Sequence, residues 1–209
     1  AKGEVPIDSL KGSWLIYGNG FVQGRMRTFL KRLFDIVSAT VLLVLATPVM
    51  ILAMIAVRLE SPGPVIYKQP RVGLGGRVFM CMKLRSMCVD AERDGLERWA
   101  AKNDPRITRV GAFIRKTRID ELPQLFNVLR GEMSLVGPRP ERMQCLARYD
   151  DRQRRRLIVK PGLAGPVQAS GRSALDREQR LALELDYIEH YSLGRDVAIL
   201  WRTVGTVLS

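Results

Sequence analysis

Histidine is almost missing from this chain: His190 is the only one in 209 residues. That scarcity weakens any mechanism built on an imidazole base or a histidine-rich metal centre. Cysteine is nearly as sparse. Cys81, Cys88 and Cys145 form neither a C-x-x-C pair nor a paired framework, and they read as free thiols of a reducing compartment. Aromatic residues make up 7% of the chain, and no helix-turn-helix, finger or RNP pattern occurs, so no nucleic-acid partner is expected. Internal repeats and low-complexity runs are also absent. Acidic residues fall well short of basic ones, 21 against 34, for a formal net charge of +13. A surplus of that size asks for an anionic partner, such as a phosphate-rich metabolite or an anionic membrane. With imidazole so scarce, acid–base or nucleophilic chemistry must draw largely on carboxylates.

What the chain does contain is apolar and contiguous. From Leu33 to Leu59 the only charges are Asp35 and Arg58. One straight helix over that stretch would reach about 40 Å, against a hydrocarbon core of about 30 Å. Pro48 lies near its middle, where it removes a backbone donor and kinks or breaks a helix. Lys31 and Arg32 precede the stretch and Arg58 ends it, and the positive-inside rule would keep both flanks on the cytoplasmic side. Either half, about 22 Å or 16 Å, is too short to cross. A re-entrant helix over about 31–59 satisfies both facts, with a true span as the alternative, since proline is tolerated in spans.

The remainder reads as one domain. Residues 1–28 are Gly-rich and mixed, a linker or lead-in from a truncated N-terminal region; the chain starts without an initiator Met or a signal-peptide pattern and reads as a piece of a longer protein. Residues 29–209 form the domain proper. Residues 65–88 hold two short β runs around a Gly-rich turn, and 90–101 a short polar helix. "DELPQLFNVLRG" predicts a helix with Leu122, Leu125, Phe126 and Leu129 as its apolar stripe and Gly131 as its C-cap. Amphipathic helices are expected over 141–158 and 176–193. The tail carries Val197, Leu200, Trp201 and Val204 on one face, facing either the core or a membrane surface. The expected fold class is α/β, mostly helical: a monotopic membrane domain with a Pro-broken re-entrant helix, short β elements and amphipathic surface helices.

Asp120 and Glu121 stand side by side at the mouth of the DELPQL helix. As structural residues they would favour the positive end of its dipole, Asp as N-cap and Pro123 in the first turn. Their surroundings suggest more. Arg115, Lys116 and Arg118 lie just upstream and Arg139 downstream in a Pro-stiffened loop. Such cations would keep a carboxylate ionised as a nucleophile or metal ligand and would hold a phosphoryl group. An aspartate attacking phosphorus forms an acyl phosphate, chemistry helped by a divalent metal.

Several stretches, "KRLFD", "SPGPVIYKQPRVGLGGRVF", "KLRSM", "DELPQLFNVLRGEMSLVGPRPE", "KPGLAG" and "LDYIEHYSLGRDVAIL", together resemble the bacterial sugar transferase family, the monotopic phosphoglycosyl transferases. The resemblance runs from about Lys31 to the C-terminus. It implies transfer of a sugar-1-phosphate from a UDP-sugar to undecaprenyl phosphate at the cytoplasmic face of the inner membrane, with release of UMP and with Mg2+. It implies Asp120 as the covalent nucleophile, Glu121 as its partner, both as metal ligands, and a re-entrant helix broken at Thr47-Pro48. Lys83, Arg115, Arg139, Gln168 and Arg172 become the expected substrate-binding residues. Inner-membrane lipid is an expected partner, and a homodimer is an expectation drawn from long members. The chain departs from the usual G-W-A-Q-V-N-G-R loop, reading "GPVQASGR", with Pro166 for Trp and Ser170 for Asn. Lys83 and Arg85 suit either phosphate or a strand-edge surface; Arg152, Arg154, Arg155 and Arg156 read as a solvated or headgroup-facing cluster, and His190 as structural. A non-catalytic scaffold of a polysaccharide assembly complex is the alternative function.

Overall fold

The computed structural model describes residues 24–91, 101, 104–171 and 175–208. Most of the expected lead-in, most of the expected polar helix 90–101, and Arg172 lie outside the described residues.

Helix α1 runs from Arg25 to Glu60, 36 residues. Leu, Val, Ala and Met dominate it and no glycine interrupts it, so local propensity and composition agree. One narrow stripe is buried: Lys31, Asp35, Ala39, Met50, Ala53 and Val57, at helical spacing. Phe34, Leu43 and Met54 are partly buried beside it, and most of the rest, including Val37, Val41, Leu45 and Leu52, is exposed. Only 17% of its most apolar 18-residue window is buried, unlike the core helix of a soluble protein. The helix continues through Thr47-Pro48 rather than stopping there. Pro48 lacks the donor for its turn, and Thr47 Oγ1 donates to the Leu43 carbonyl at 2.6 Å.

Both ends of α1 are tied to the same folded body. Near the start, Arg32 donates to the Val128 and Leu129 carbonyls at 2.6 and 2.7 Å. Asp35 accepts from Ser134 Oγ and Leu135 N, and Lys31 lies 3.2 Å from Asp35 and 2.8 Å from Asp196. Tyr187 completes this buried network by donating to Asp196 Oδ1 at 2.7 Å. At the far end, Ala53 and Val57 pack with Leu84 and Ile114. Glu60 accepts from the Arg109 and Val110 amides at 2.8 and 3.0 Å, satisfying otherwise orphaned donors of the next helix.

The expected hairpin is present. β1 (Ile66–Val72) and β2 (Val78–Leu84) pair antiparallel from Ile66↔Leu84 to Val72↔Val78, and β4 (Glu141–Arg142) adds to the other edge of β1. α2 (Arg109–Lys116) opens on Thr108, whose side chain accepts from Gly111 N. α3 (Gln124–Arg130) ends at Gly131 with φ 82°, the left-handed C-cap that glycine adopts readily. Its buried face differs from the expected stripe: Gln124, Leu125, Asn127 and Val128 face in, while Phe126 is exposed. Asn127 supplies the reason. Its carboxamide accepts from Met82 N and donates to the Met80 carbonyl, closing the free edge of β2 and rotating that side inward.

β3 (Ser134–Val136) and β5 (Gly162–Ala164) pair in parallel below this layer, and the main core gathers around Leu125, Val128, Met133, Leu135, Tyr187 and Ile188. Residues 141–158 do not form one helix. They break into β4, α4 (Met143–Leu146), α5 (Asp151–Arg154) and a 3-10 turn over Arg155–Ile158, because Asp150 and Gln153 form a capping box that starts a new helix. Short α6 (Pro166–Ala169) leads to α7 (Arg177–Glu189), opened by the same device at Asp176–Gln179, and α8 (Leu193–Leu208) closes the chain. The tail stripe divides: Val197, Trp201 and Val204 are exposed, Leu200 is partly buried against the main core, and Asp196 and Ile199 face inward. The architecture is thus mostly helical, with a few short strands and one long apolar N-terminal helix.

Candidate active site

The Asp-Glu pair sits in a 3-10 turn, Ile119–Glu121, wedged between α2 and α3. Arg118 makes the wedge possible. Its φ of 58° is the only positive value for a non-glycine among the described residues. Left-handed backbone there stops α2 after Thr117 and redirects the chain, a conformation that costs an ordinary side chain about 1–2 kcal/mol. The turn buries both carboxylates, Asp120 at 7% and Glu121 at 6% exposure. Neither caps α3, whose N-cap is Pro123 with no side-chain acceptor. Helix capping therefore leaves the pair unexplained.

Two neighbouring acids find opposite environments. Glu121 Oε1 lies 2.6 Å from the Arg139 guanidinium, 2.9 Å from Lys83 Nζ and 3.9 Å from Arg118. Burial alone would raise its pKa, but the charges and hydrogen bonds of Arg139 and Lys83 outweigh burial and hold it at about 2. Asp120 goes the other way. Burial pushes its pKa up, the Glu121 charge adds to that, and Lys83, Arg115 and Arg118 offset it only in part. Its Oδ1 is buried without a hydrogen-bond partner among the described residues. This corrects the expectation that flanking cations hold both acids down: Glu121 captures them, and Asp120 is left the less acidic.

A cavity of about 420 Å3 opens over the pair. Lys83, Arg115 and Arg139 all line it, with Arg115 oriented by donating to Ser86 Oγ at 2.7 Å. Other expected residues do not join them. Gln168 faces a separate cavity and donates to the Leu163 carbonyl. Arg85, although it borders the cavity, donates to the Ser61 and Pro62 carbonyls, so it is neither a free phosphate ligand nor a surface residue; it fastens the end of α1. Arg156 is no solvated cation: it bridges Glu141, Glu184 and Tyr149. His190 stays exposed beside Asp186.

The cavity also has two basic walls that sequence reasoning passed over, Arg71 and Arg142, and Arg118, already named beside the pair, joins them. Tyr67, Gln69 and Arg71 alternate along β1 onto this face, a period-two signal visible in "YKQPR". Arg142 carries no local signal; the β1–β4 pairing brings it opposite Arg71. No cluster of three or more His, Cys, Asp or Glu side chains suited to a metal occurs among the described residues. A divalent cation would find the unpartnered Asp120 Oδ1 and the Glu121 carboxylate, a donor set that suits Mg2+, which takes one or two carboxylates and fills its shell with water and phosphate.

Residues 26–209 match the family model described as bacterial sugar transferase. Among curated proteins, an Aeromonas hydrophila UDP-N-acetylgalactosamine-undecaprenyl-phosphate N-acetylgalactosaminephosphotransferase is 42% identical over 99% of this chain and 49% of its own length. A Salmonella typhimurium undecaprenyl-phosphate galactose phosphotransferase is 44% identical over 88% of this chain and 41% of its own. A Caulobacter vibrioides UDP-glucose:undecaprenyl-phosphate glucose-1-phosphate transferase is 44% identical over 86% of this chain and 70% of its own. The chain thus spans less than half the length of the first two.

Proposed function

The chain belongs to the bacterial sugar transferase family, and on that footing we propose that it transfers a sugar-1-phosphate from a UDP-sugar to undecaprenyl phosphate, an early membrane step of exopolysaccharide or other glycoconjugate synthesis. The observation that carries the proposal is the split Asp120–Glu121 pair in a basic cavity.

In the first step the ionised Asp120 carboxylate attacks the β-phosphorus of the UDP-sugar. A carboxylate–phosphorus bond forms, the bond to the bridging oxygen breaks, and UMP leaves with that electron pair. In the second step an oxygen of the lipid phosphate attacks the same phosphorus and displaces Asp120, giving the lipid diphosphosugar. Lys83 and Arg139, anchored on Glu121, present positive charge where the phosphoryl oxygens gain it, and Arg115 adds a donor to the same wall. Mg2+, held by Asp120 and Glu121, would neutralise phosphate charge. Gln168 lies away from this centre, so a substrate role for it concerns the distal part of the donor; Arg172 lies outside the described residues.

Helix α1 supports a membrane arrangement of the same kind. Both of its ends are fastened to one strongly basic body, at Lys31–Asp196 and at Glu60–Arg109, while its exposed apolar surface lies between. A helix anchored in that way favours dipping into one leaflet and returning over delivering its ends to opposite faces, with the bend at Thr47-Pro48 and the domain 29–209 on the cytoplasmic side of the inner membrane. Such placement brings a polyprenyl substrate and a soluble nucleotide to one interface.

The test is UMP release from a panel of UDP-sugars with undecaprenyl phosphate and Mg2+, comparing the chain with Asp120→Asn. Release that the variant abolishes supports the reading, and the donor that works names the sugar; the relatives differ on this, using N-acetylgalactosamine, galactose or glucose by name. Equal release by both proteins would remove Asp120 as nucleophile, and no release by either would favour the scaffold. Cysteines placed at Arg25 and Ser61 should label from the same side; opposite-side labelling would end the re-entrant arrangement.

A further inference from the structure

Behind the catalytic loop lies a second cavity of about 530 Å3, walled by α4, α5, α6 and α7. Arg139 lines both cavities. Its guanidinium reaches forward to Glu121 while its carbonyl accepts from Arg156 behind, so one residue between Pro138 and Pro140 joins the two spaces. The floor is electrically settled: Arg156 answers both Glu141 and Glu184 and donates to Tyr149 Oη at 2.7 Å. The rim is not. Arg148, Arg177 and Arg180 line it, and none of the three forms an ion pair among the described residues, in contrast to Arg152 with Glu178 and Arg155 with Glu189 on the neighbouring surface. Arg177 and Arg180 also occupy the first turn of α7, where the helix dipole disfavours cations. Arg177 donates to Gln153 Oε1 at 3.4 Å and Arg180 Nε to the Leu175 carbonyl at 3.0 Å, so these groups are hydrogen-bonded but not neutralised. Three guanidinium groups without a carboxylate around a concave space of this size suit an anion of nucleotide dimensions.

We propose that this second cavity, between α5 and the start of α7, binds the phosphate of a water-soluble nucleotide or phosphoanion through Arg148, Arg177 and Arg180. Two sources share that chemistry: the nucleotide end of the donor, and a separate phosphoanion that acts on Glu121 through Arg139. Only the first rests on the transferase reading.

The experiment titrates the whole chain, in detergent, with UDP, UMP and inorganic phosphate by calorimetry. It compares the double variant Arg177→Gln/Arg180→Gln with Arg152→Gln, which lies outside the cavity. Loss of two charge-assisted contacts should weaken UDP binding at least about tenfold, with less than about a twofold change for Arg152→Gln. Unchanged binding of all three anions would overturn the proposal. Weaker UDP binding with a raised KM for the UDP-sugar identifies the donor; weaker binding with an unchanged KM identifies the separate anion. An inactive wild type would count against the transferase reading and leave the binding result standing. Should the double variant lose its helical circular dichroism, Arg148→Gln alone makes the same comparison.

Discussion

Replacing Glu121 by glutamine keeps the shape and removes the charge, and the consequence can be worked out in advance. Glu121 is held at about 2 against an ordinary 4.5, which corresponds to about 3 kcal/mol of stabilisation when ionised. Because the folded value is the lower one, this contribution is complete above the ordinary 4.5 and fades as the pH falls toward 2. At pH 3 roughly half of it should remain. The glutamine variant also leaves Lys83 and Arg139 facing each other over a buried amide, so its loss at pH 7 should not be smaller. For a chain of this length, 3 kcal/mol lowers the melting temperature by about 6–12 °C. Thermal unfolding in mild detergent, followed by circular dichroism at pH 7 and pH 3, reads the difference directly. An equal loss at both pH values, or one under about 1 kcal/mol at pH 7, would refute the claim that Glu121 anchors the basic wall through its charge.

Activity should show the other half of the pair. Asp120 must be ionised to attack, and burial with the Glu121 charge raises its pKa, so the acid limb of kcat/KM should lie above the ordinary 3.8; a limb at or below that value would contradict the burial. Asn127→Ala opens the edge of β2 by deleting a fully buried carboxamide that bonds Met82 N and the Met80 carbonyl, and urea unfolding should register a loss of about 2–4 kcal/mol. Gly111→Ala would drive a Cβ into the Ser86 carbonyl oxygen; the backbone must shift, costing about 3 kcal/mol, and a melting temperature within about 2 °C of wild type would argue against that packing.

Local chemistry made much of this legible from the sequence. The apolar run of α1, the hairpin around "GLGG", the Gly131 C-cap and the Asp176 start of α7 each follow from a pattern complete within a dozen residues. What escaped depends on contacts that close over long separations. The buried face of α3 turns on Asn127 reaching β2 across 45 residues. Arg85 and Arg156 looked like surface cations until the Ser61 carbonyl and Glu184 filled their surroundings. Asp150 carried a readable capping box inside 141–158, but the amphipathic period concealed it.

The division of labour between the two acids follows from the same long-range closure. Sequence places cations beside both, and nothing local decides which acid receives them. The 3-10 turn aims Glu121 at Lys83 on β2 and at Arg139 on the proline loop, two elements that meet only in the folded domain. An oxygen saturated by lysine and arginine has its lone pairs engaged and makes a weak nucleophile. Asp120, one residue earlier and equally buried, keeps an oxygen without a partner among the described residues. Its raised pKa marks a carboxylate that burial leaves under-solvated, hence more basic and more reactive once ionised. Adjacent acids can therefore act as anchor and attacker without exchanging roles, since each would need the other's partners to do so. Exchanging them, Asp120→Glu with Glu121→Asp, should fail to restore UMP release: the shorter acid at 121 would no longer reach both Lys83 and Arg139. Release above about one-tenth of wild type from that double variant would show that the cavity needs two carboxylates but not this order.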